Sequence, residues 1–83
     1  MATKVVNLRT EPYDVYIGRG SKWGNPFRVG PDGTRAQVIE KYRAWLRFQP
    51  HLIGALKELR DKRLGCFCAP LPCHGEVLVS LLS

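Results

Sequence analysis

The chain has 83 residues, of which 45% are hydrophobic and 24% charged, a balance typical of a folded domain and not of a disordered segment. A net charge of +6 favours an anionic partner, although a basic surface without a specific ligand would show the same charge. No apolar run approaches the length of a membrane span, and the first residues lack the apolar segment of a signal peptide. We therefore expect one cytoplasmic domain over residues 1–83 that makes no membrane contact.

The first predicted elements are two strands. Residues 4–8 form a short apolar run, and residues 13–17 alternate so that Tyr13, Val15 and Ile17 share one face. Pro12 interrupts the chain between them, which predicts a loop there.

A glycine loop, residues 18–25, follows the second predicted strand. Glycines permit close backbone approach, successive N–H groups in such a loop can surround an anion, and Arg and Lys donate well to phosphate. The spacing is neither that of a dinucleotide fingerprint nor that of a P-loop. The predicted anion-binding residues are Gly18, Arg19, Gly20, Ser21, Lys22 and Asn25. The alternative is a structural loop in which Trp23 and Phe27 anchor the backbone to the core.

Two helices are predicted next. Thr34 and Gln37 have the spacing of a capping box, so a helix should begin at Arg35. Its apolar stripe contains Val38, Ile39, Tyr42, Trp45 and Leu46. Pro50 ends this helix and suits the first turn of a second helix.

The cysteine stretch, residues 66–74, contains all three cysteines and one of the two histidines. A short apolar run predicts a buried strand over residues 63–68, on which Cys66 and Cys68 share a face. Two prolines stiffen the following turn, and a helix should begin near Cys73. A helix N-terminus stabilises a thiolate and attracts anions.

Three interpretations of the cysteine stretch remain open. The first is a metal site, most plausibly zinc, bound by Cys66, Cys68, Cys73 and His74. Because adjacent helical residues do not face each other, His51, Glu76 or a water is an alternative fourth ligand. The second is a nucleophilic Cys73 activated by the helix end and by His74. The third is a set of ordinary core cysteines.

The segments YIGRGSKWGNPF, residues 16–27, and LGCFCAPLPCHGEVL, residues 64–78, resemble a small uncharacterised family carried by bacteriophages and bacteria. The resemblance covers nearly the whole chain and implies a phage or prophage origin, and so a location in the host cell cytoplasm. It implies no established activity.

The predicted fold is a small α/β domain in the order β-β-α-α-β-α, with a three-stranded sheet packed against three helices. The strand from Arg63 should be central, because residues 64–67 are apolar on both faces. The glycine loop and the cysteine stretch both follow strands and could meet at one end of the sheet, where ligands of open α/β sheets bind.

Three classes of function fit these patterns. The favoured one is a zinc-binding domain whose basic loop contacts nucleic acid or a host protein. The second is a thiol-dependent enzyme that uses Cys73 and His74 on a nucleotide or another phosphorylated substrate. The third is a metal-free interaction protein. The patterns indicate nothing about the oligomeric state.

Overall fold

A computed structural model describes residues 2–67 and 71–82. The elements follow the predicted order β-β-α-α-β-α, with a short 3-10 helix, Leu56–Leu59, after the second helix. They are β1 (Lys4–Asn7), β2 (Val15–Tyr16), α1 (Arg35–Leu46), α2 (Pro50–Ala55), β3 (Arg63–Cys66) and α3 (Gly75–Leu82). The predicted fold class, a small α/β domain, is confirmed.

The three strands form one parallel sheet in the order β1-β3-β2. The central position of β3 is therefore confirmed, and Gly65 pairs with Val6 on one side and Tyr16 on the other. The structure ends β3 at Cys66, whereas the sequence predicted a strand to residue 68. Cys68 itself lies outside the described residues.

Strand β2 is shorter than the predicted 13–17, although its hydrogen bonding to β3 extends beyond its ends. The Asp14 N–H donates to the Arg63 carbonyl at 2.8 Å, and the Ile17 N–H donates to the Gly65 carbonyl at 3.0 Å. Tyr13 packs so closely over Gly65 that a Cβ atom there would lie 2.6 Å from the Tyr13 Cγ. Glycine at position 65 therefore allows Tyr13 to cover the central strand.

The predicted capping box sets the start of α1. The Gln37 N–H donates to the Thr34 hydroxyl at 3.2 Å, and the Thr34 N–H donates to the Gln37 side-chain oxygen at 2.8 Å. Pro50 begins α2, as predicted. Both helices thus begin where local chemistry favours a helix N-terminus.

One hydrophobic core joins the sheet, the helices and the glycine loop. Its fully buried side chains include Ile17 after β2, Trp23 in the glycine loop, Leu64 in β3 and Leu78 in α3. The structural alternative for the loop is thus confirmed for Trp23, which is 2% exposed. Within residues 2–67 and 71–82, no helix has the length and apolarity needed to cross a membrane.

Candidate functional site

The two sequence stretches meet at the carboxyl edge of the sheet, where the three parallel strands end. A cavity of about 280 Å³ opens there between the glycine loop, the start of α1 and the cysteine stretch. The residues that line it are Tyr16, Gly18, Arg19, Asn25, Phe27, Val29, Arg35, Val38, Cys66, Phe67, Cys73 and His74. The expectation that the stretches come together is confirmed.

Two of the three cysteines form a close pair in this cavity. The Sγ atoms of Cys66 and Cys73 lie 3.4 Å apart, and both residues are buried, with 2% and 3% exposure. Cys66 is the last residue of β3, while Cys73 precedes α3 by two residues. The Gly75 N–H donates to the Cys73 Sγ at 3.2 Å, so a backbone donor at the start of α3 is directed at this sulfur.

His74 joins the start of α3 to the end of β2. Its Nε2–H donates to the carbonyl oxygen of Ile17 at 2.7 Å, and its ring meets the Tyr42 ring edge-on with 4.9 Å between centroids. Burial lowers the pKa of His74, and hydrogen bonds to the backbone of Ile17 and Trp23 oppose that shift. This imidazole therefore fastens the glycine loop to α3 while it lines the cavity.

Tyr42 also contacts the backbone of the glycine loop. Its hydroxyl donates to the Trp23 carbonyl at 2.8 Å. Burial, and secondarily the nearby Cys73, raises the pKa of Tyr42 well above its usual range, so the phenol stays neutral. Tyr42 and His74 together hold the loop backbone from below.

The predicted anion-binding residues separate into two groups. Gly18, Arg19 and Asn25 line the cavity. The Ser21 hydroxyl instead donates to the Gly18 carbonyl at 2.7 Å, and Gly20, at φ 89°, provides the left-handed turn beside it. Lys22, Gly20 and Ser21 do not line the cavity.

Lys22 lies on another part of the surface. Its Nζ forms an exposed ion pair with Glu58 at 3.0 Å and lies 5.4 Å from the centre of the Trp23 ring. Because Lys22 holds the loop against the 3-10 helix, its position suits a structural contact better than a ligand contact.

Asn25 shapes the end of the loop. Its Nδ2 donates to the Val38 carbonyl at 3.2 Å, and its Oδ1 accepts from the Phe27 N–H at 2.9 Å. These bonds tie the loop to α1 and turn the chain so that Phe27 reaches the cavity wall.

Arg35 is a cavity residue that the sequence patterns did not identify. Its Nη1 donates to the Pro72 carbonyl at 3.2 Å, across 37 positions of the chain. The sequence placed Arg35 only at the start of a helix. Its position in the first turn of α1, three residues before Val38 of the apolar stripe, was the available signal.

The described residues contain no group of three His, Cys, Asp or Glu side chains arranged to hold a metal ion. Cys66 and Cys73 are adjacent, His74 shares their cavity, and Cys68 falls outside the described part of the chain. The four-ligand zinc site and the nucleophilic role of Cys73 with His74 both stay predictions.

Comparison with known proteins identifies the family. The sequence model described as "Domain of unknown function (DUF4326)" matches residues 2–83, so the chain belongs to this family. The chain is 39% identical to an uncharacterised 12.4 kDa protein from the nrdA-td intergenic region of Enterobacteria phage T4, covering 96% of this chain and 77% of that protein. It is 35% identical to the uncharacterised protein R718 of Acanthamoeba polyphaga mimivirus, covering 82% of this chain and 65% of that protein.

Both relatives are viral, which confirms the expected resemblance to an uncharacterised phage-type family. The chain spans about two thirds of the length of the mimivirus protein. No solved structure matches the chain.

Proposed function

We propose that this member of the DUF4326 family binds a small anionic ligand, of the nucleotide class, in the cavity at the carboxyl edge of the sheet. One observation carries the proposal: the cavity joins both sequence stretches, and its described lining contains two arginines and no carboxylate. A region lined by one sign of charge attracts the opposite charge. The carboxyl edge of a parallel sheet is also where open α/β folds bind their ligands.

The two arginines approach the cavity from different elements. Arg19 belongs to the glycine loop, and Arg35 belongs to the first turn of α1. A guanidinium donates to phosphate oxygens through its planar fork, so two of them could bind one phosphate from two sides.

The remaining walls suit a flat apolar group. Tyr16, Phe27 and Phe67 contribute aromatic rings, and Val29 adds an aliphatic contact. Nucleobases stack on aromatic side chains with little dependence on base identity. The volume of about 280 Å³ lies just below the range of typical small-molecule sites, which begins at about 300 Å³.

The test is calorimetric titration of the purified chain with adenosine monophosphate, adenosine and inorganic phosphate. We expect the monophosphate to bind more tightly than either part alone, because it uses both the arginines and the aromatic walls. Arg19→Ala and Arg35→Ala should each weaken binding by about tenfold or more, the loss expected for one charge-assisted hydrogen bond.

Lys22→Ala is the matched control for these variants, since it also removes a positive charge from the glycine loop but away from the cavity. Its affinity should stay within about twofold of the parent chain. Equal weakening by all three variants would indicate nonspecific charge attraction and would contradict the cavity proposal. Tighter binding of a single-stranded oligonucleotide than of any mononucleotide would instead favour a nucleic-acid surface.

A zinc site is the second candidate function, and the cysteine pair favours it. Two thiolates bound to one zinc ion at about 2.3 Å in tetrahedral geometry stand roughly 3.8 Å apart, close to the 3.4 Å between Cys66 and Cys73. The His74 Nε2–H bond to Ile17 occupies one ring nitrogen. The distance between the two sulfurs thus suits two ligand positions of one zinc ion, and Cys68 would supply a third ligand.

Alkylation timed with and without a chelator tests the zinc candidate, using protein expressed with zinc and lacking a histidine tag. Metal-bound cysteines should resist alkylation until chelator is added, and elemental analysis should give near-stoichiometric zinc. Well-folded protein without zinc or iron, in which Cys73 is labelled at the same rate with or without chelator, would exclude this candidate.

A further inference from the structure

We infer that Cys66 and Cys73 form a peroxide-reactive dithiol, which a hydroperoxide oxidises to a reversible intramolecular disulfide. The inference goes beyond the proposed ligand and does not depend on it. Their Sγ atoms are 3.4 Å apart. Since a disulfide bond measures about 2.05 Å, the sulfurs need to approach by only about 1.4 Å.

The hydrogen bonds around the pair assign different roles to the two sulfurs. The Cys73 Sγ already accepts from the Gly75 N–H at 3.2 Å. The Cys66 Sγ lies 3.4 Å from the Cys73 Sγ, and either sulfur can be the donor in that contact. A backbone N–H directed at a sulfur stabilises the negative charge that develops on that sulfur when it attacks. Cys73 is thus the attacking sulfur and Cys66 the resolving one.

The cavity provides the route for the oxidant. Both cysteines are almost fully buried, yet both line the cavity beside Arg19 and Phe67. A hydroperoxide is small enough to enter a volume of about 280 Å³, in which the sulfurs form part of the wall. The cavity therefore gives a small oxidant access to both sulfurs.

The reaction balances in two steps. The Cys73 thiolate attacks one oxygen of hydrogen peroxide, the O–O bond breaks, and Cys73 becomes a sulfenic acid while the departing hydroxide takes up a proton. The Cys66 sulfur then attacks the Cys73 sulfur, the S–O bond breaks, and the second hydroxide leaves as water with the Cys66 proton. Two thiols lose two electrons, and one peroxide is reduced to two waters.

The experiment exposes the reduced, chelator-treated full chain to hydrogen peroxide, quenches with an alkylating reagent and maps the cysteines by mass spectrometry without reduction. We expect a Cys66–Cys73 disulfide that dithiothreitol reverses. In Cys66→Ser, the Cys73 sulfenic acid should persist and react with dimedone. In Cys73→Ser, oxidation of Cys66 should be at least tenfold slower, because the attacking sulfur is gone.

Cys68→Ser is the matched control, because it removes the third cysteine and leaves the pair intact. It should form the disulfide at a rate within about twofold of the parent chain. A disulfide that includes Cys68, loss of the reaction in Cys68→Ser, or sulfinic acid as the main product of the parent chain would each overturn the inference. These products are read from mass alone, so the result does not depend on whether any nucleotide binds.

Discussion

The polar groups at the two ends of the parallel strands have different kinds of partner. At the edge where β3 begins, Asp14 accepts from the Arg63 backbone N–H at 2.8 Å and from the Arg63 guanidinium at 3.1 and 3.2 Å. Nearby, the Thr3 hydroxyl donates to the Leu59 carbonyl at 3.0 Å and accepts from the Asp61 N–H at 2.9 Å. Opposite charges and complementary donors are matched to each other at this edge.

The carboxyl edge holds the cavity instead. Most side-chain hydrogen bonds there are donated to backbone carbonyls. His74 donates to the Ile17 carbonyl, and Arg35 donates to the Pro72 carbonyl. The described lining of the cavity contains Arg19 and Arg35 and no carboxylate. One end of the sheet is therefore closed by paired charges, whereas the other has positive charge and two thiols next to an open cavity.

The largest effect is expected for His74→Ala at the carboxyl edge. The substitution leaves the Ile17 carbonyl without its partner and creates a cavity beneath the glycine loop. We expect the free energy of unfolding to fall by about 2–4 kcal/mol. Urea denaturation followed by circular dichroism measures it.

His51→Ala is the natural control for this prediction, because His51 is the chain's other histidine and is exposed in the first turn of α2. Its effect should stay within about 0.5 kcal/mol. Similar losses from the two variants would mean that the His74 contacts do not stabilise the loop.

Gly65→Ala should have the next largest effect on stability, because Gly65 lies in the central strand β3. The added Cβ atom would lie 2.6 Å from the Tyr13 Cγ and 2.9 Å from its Cβ, too close to the backbone for ring rotation alone to relieve. We expect a loss of about 1–3 kcal/mol in the free energy of unfolding. Gly54→Ala, where nothing lies within 4 Å of the new atom, should be neutral or stabilising. Equal losses in both variants would contradict the packing argument.

Acid should weaken the ion pair between Asp14 and Arg63 in a defined pH range. Side-chain hydrogen bonds from Arg63 lower the pKa of Asp14 from 3.8 to about 2. The ion pair therefore contributes its full stabilisation above pH 3.8, and that contribution is lost as the pH falls towards 2. Asp14→Asn should lower the melting temperature at pH 7, and its difference from the parent chain should shrink across this range.

A double-mutant cycle with Arg63→Gln provides the control for the acid prediction. Without the guanidinium, Asp14→Asn should show much less of this acid-dependent difference. An unchanged difference between pH 4 and pH 2 in the Arg63→Gln background would show that the ion pair is not its source.

Local sequence rules predicted the elements well, because each rule acts within a few residues. The capping box of Thr34 and Gln37, the start of α2 at Pro50 and the central strand from Arg63 all follow from such rules. The ends of β2 and β3 were less predictable, because they depend on which backbone groups pair across the sheet.

The site was predicted only in part, because several of its contacts join distant positions. Arg35 reaches Pro72 across 37 positions, His74 reaches Ile17 across 57, and Lys22 pairs with Glu58 across 36. Residue type and local spacing correctly suggested that the glycine loop and the cysteine stretch would meet. They could not show that Lys22 would be paired away from the cavity or that Arg35 would join it.

The smallest effect on stability is expected for Arg19→Ala, because Arg19 lines the cavity and, among the described residues, does not support the fold through an ion pair. In the described part of the chain, the Arg19 side chain forms no ion pair, whereas Lys22 is paired with Glu58. Arg19→Ala should change the free energy of unfolding by less than about 0.5 kcal/mol. Lys22→Ala should cost up to about 1 kcal/mol, as an exposed ion pair does.

Nucleotide affinity should follow the opposite order, with loss in Arg19→Ala and little change in Lys22→Ala. Chemical denaturation and calorimetric titration of the same two samples measure both quantities side by side. A large loss of stability in Arg19→Ala would place this arginine among the structural residues of the loop. If Arg19→Ala lowers mainly nucleotide affinity and Lys22→Ala lowers mainly the free energy of unfolding, then Arg19 binds ligand and Lys22 stabilises the fold. The two effects can differ in this way because removing a ligand contact does not disturb packing.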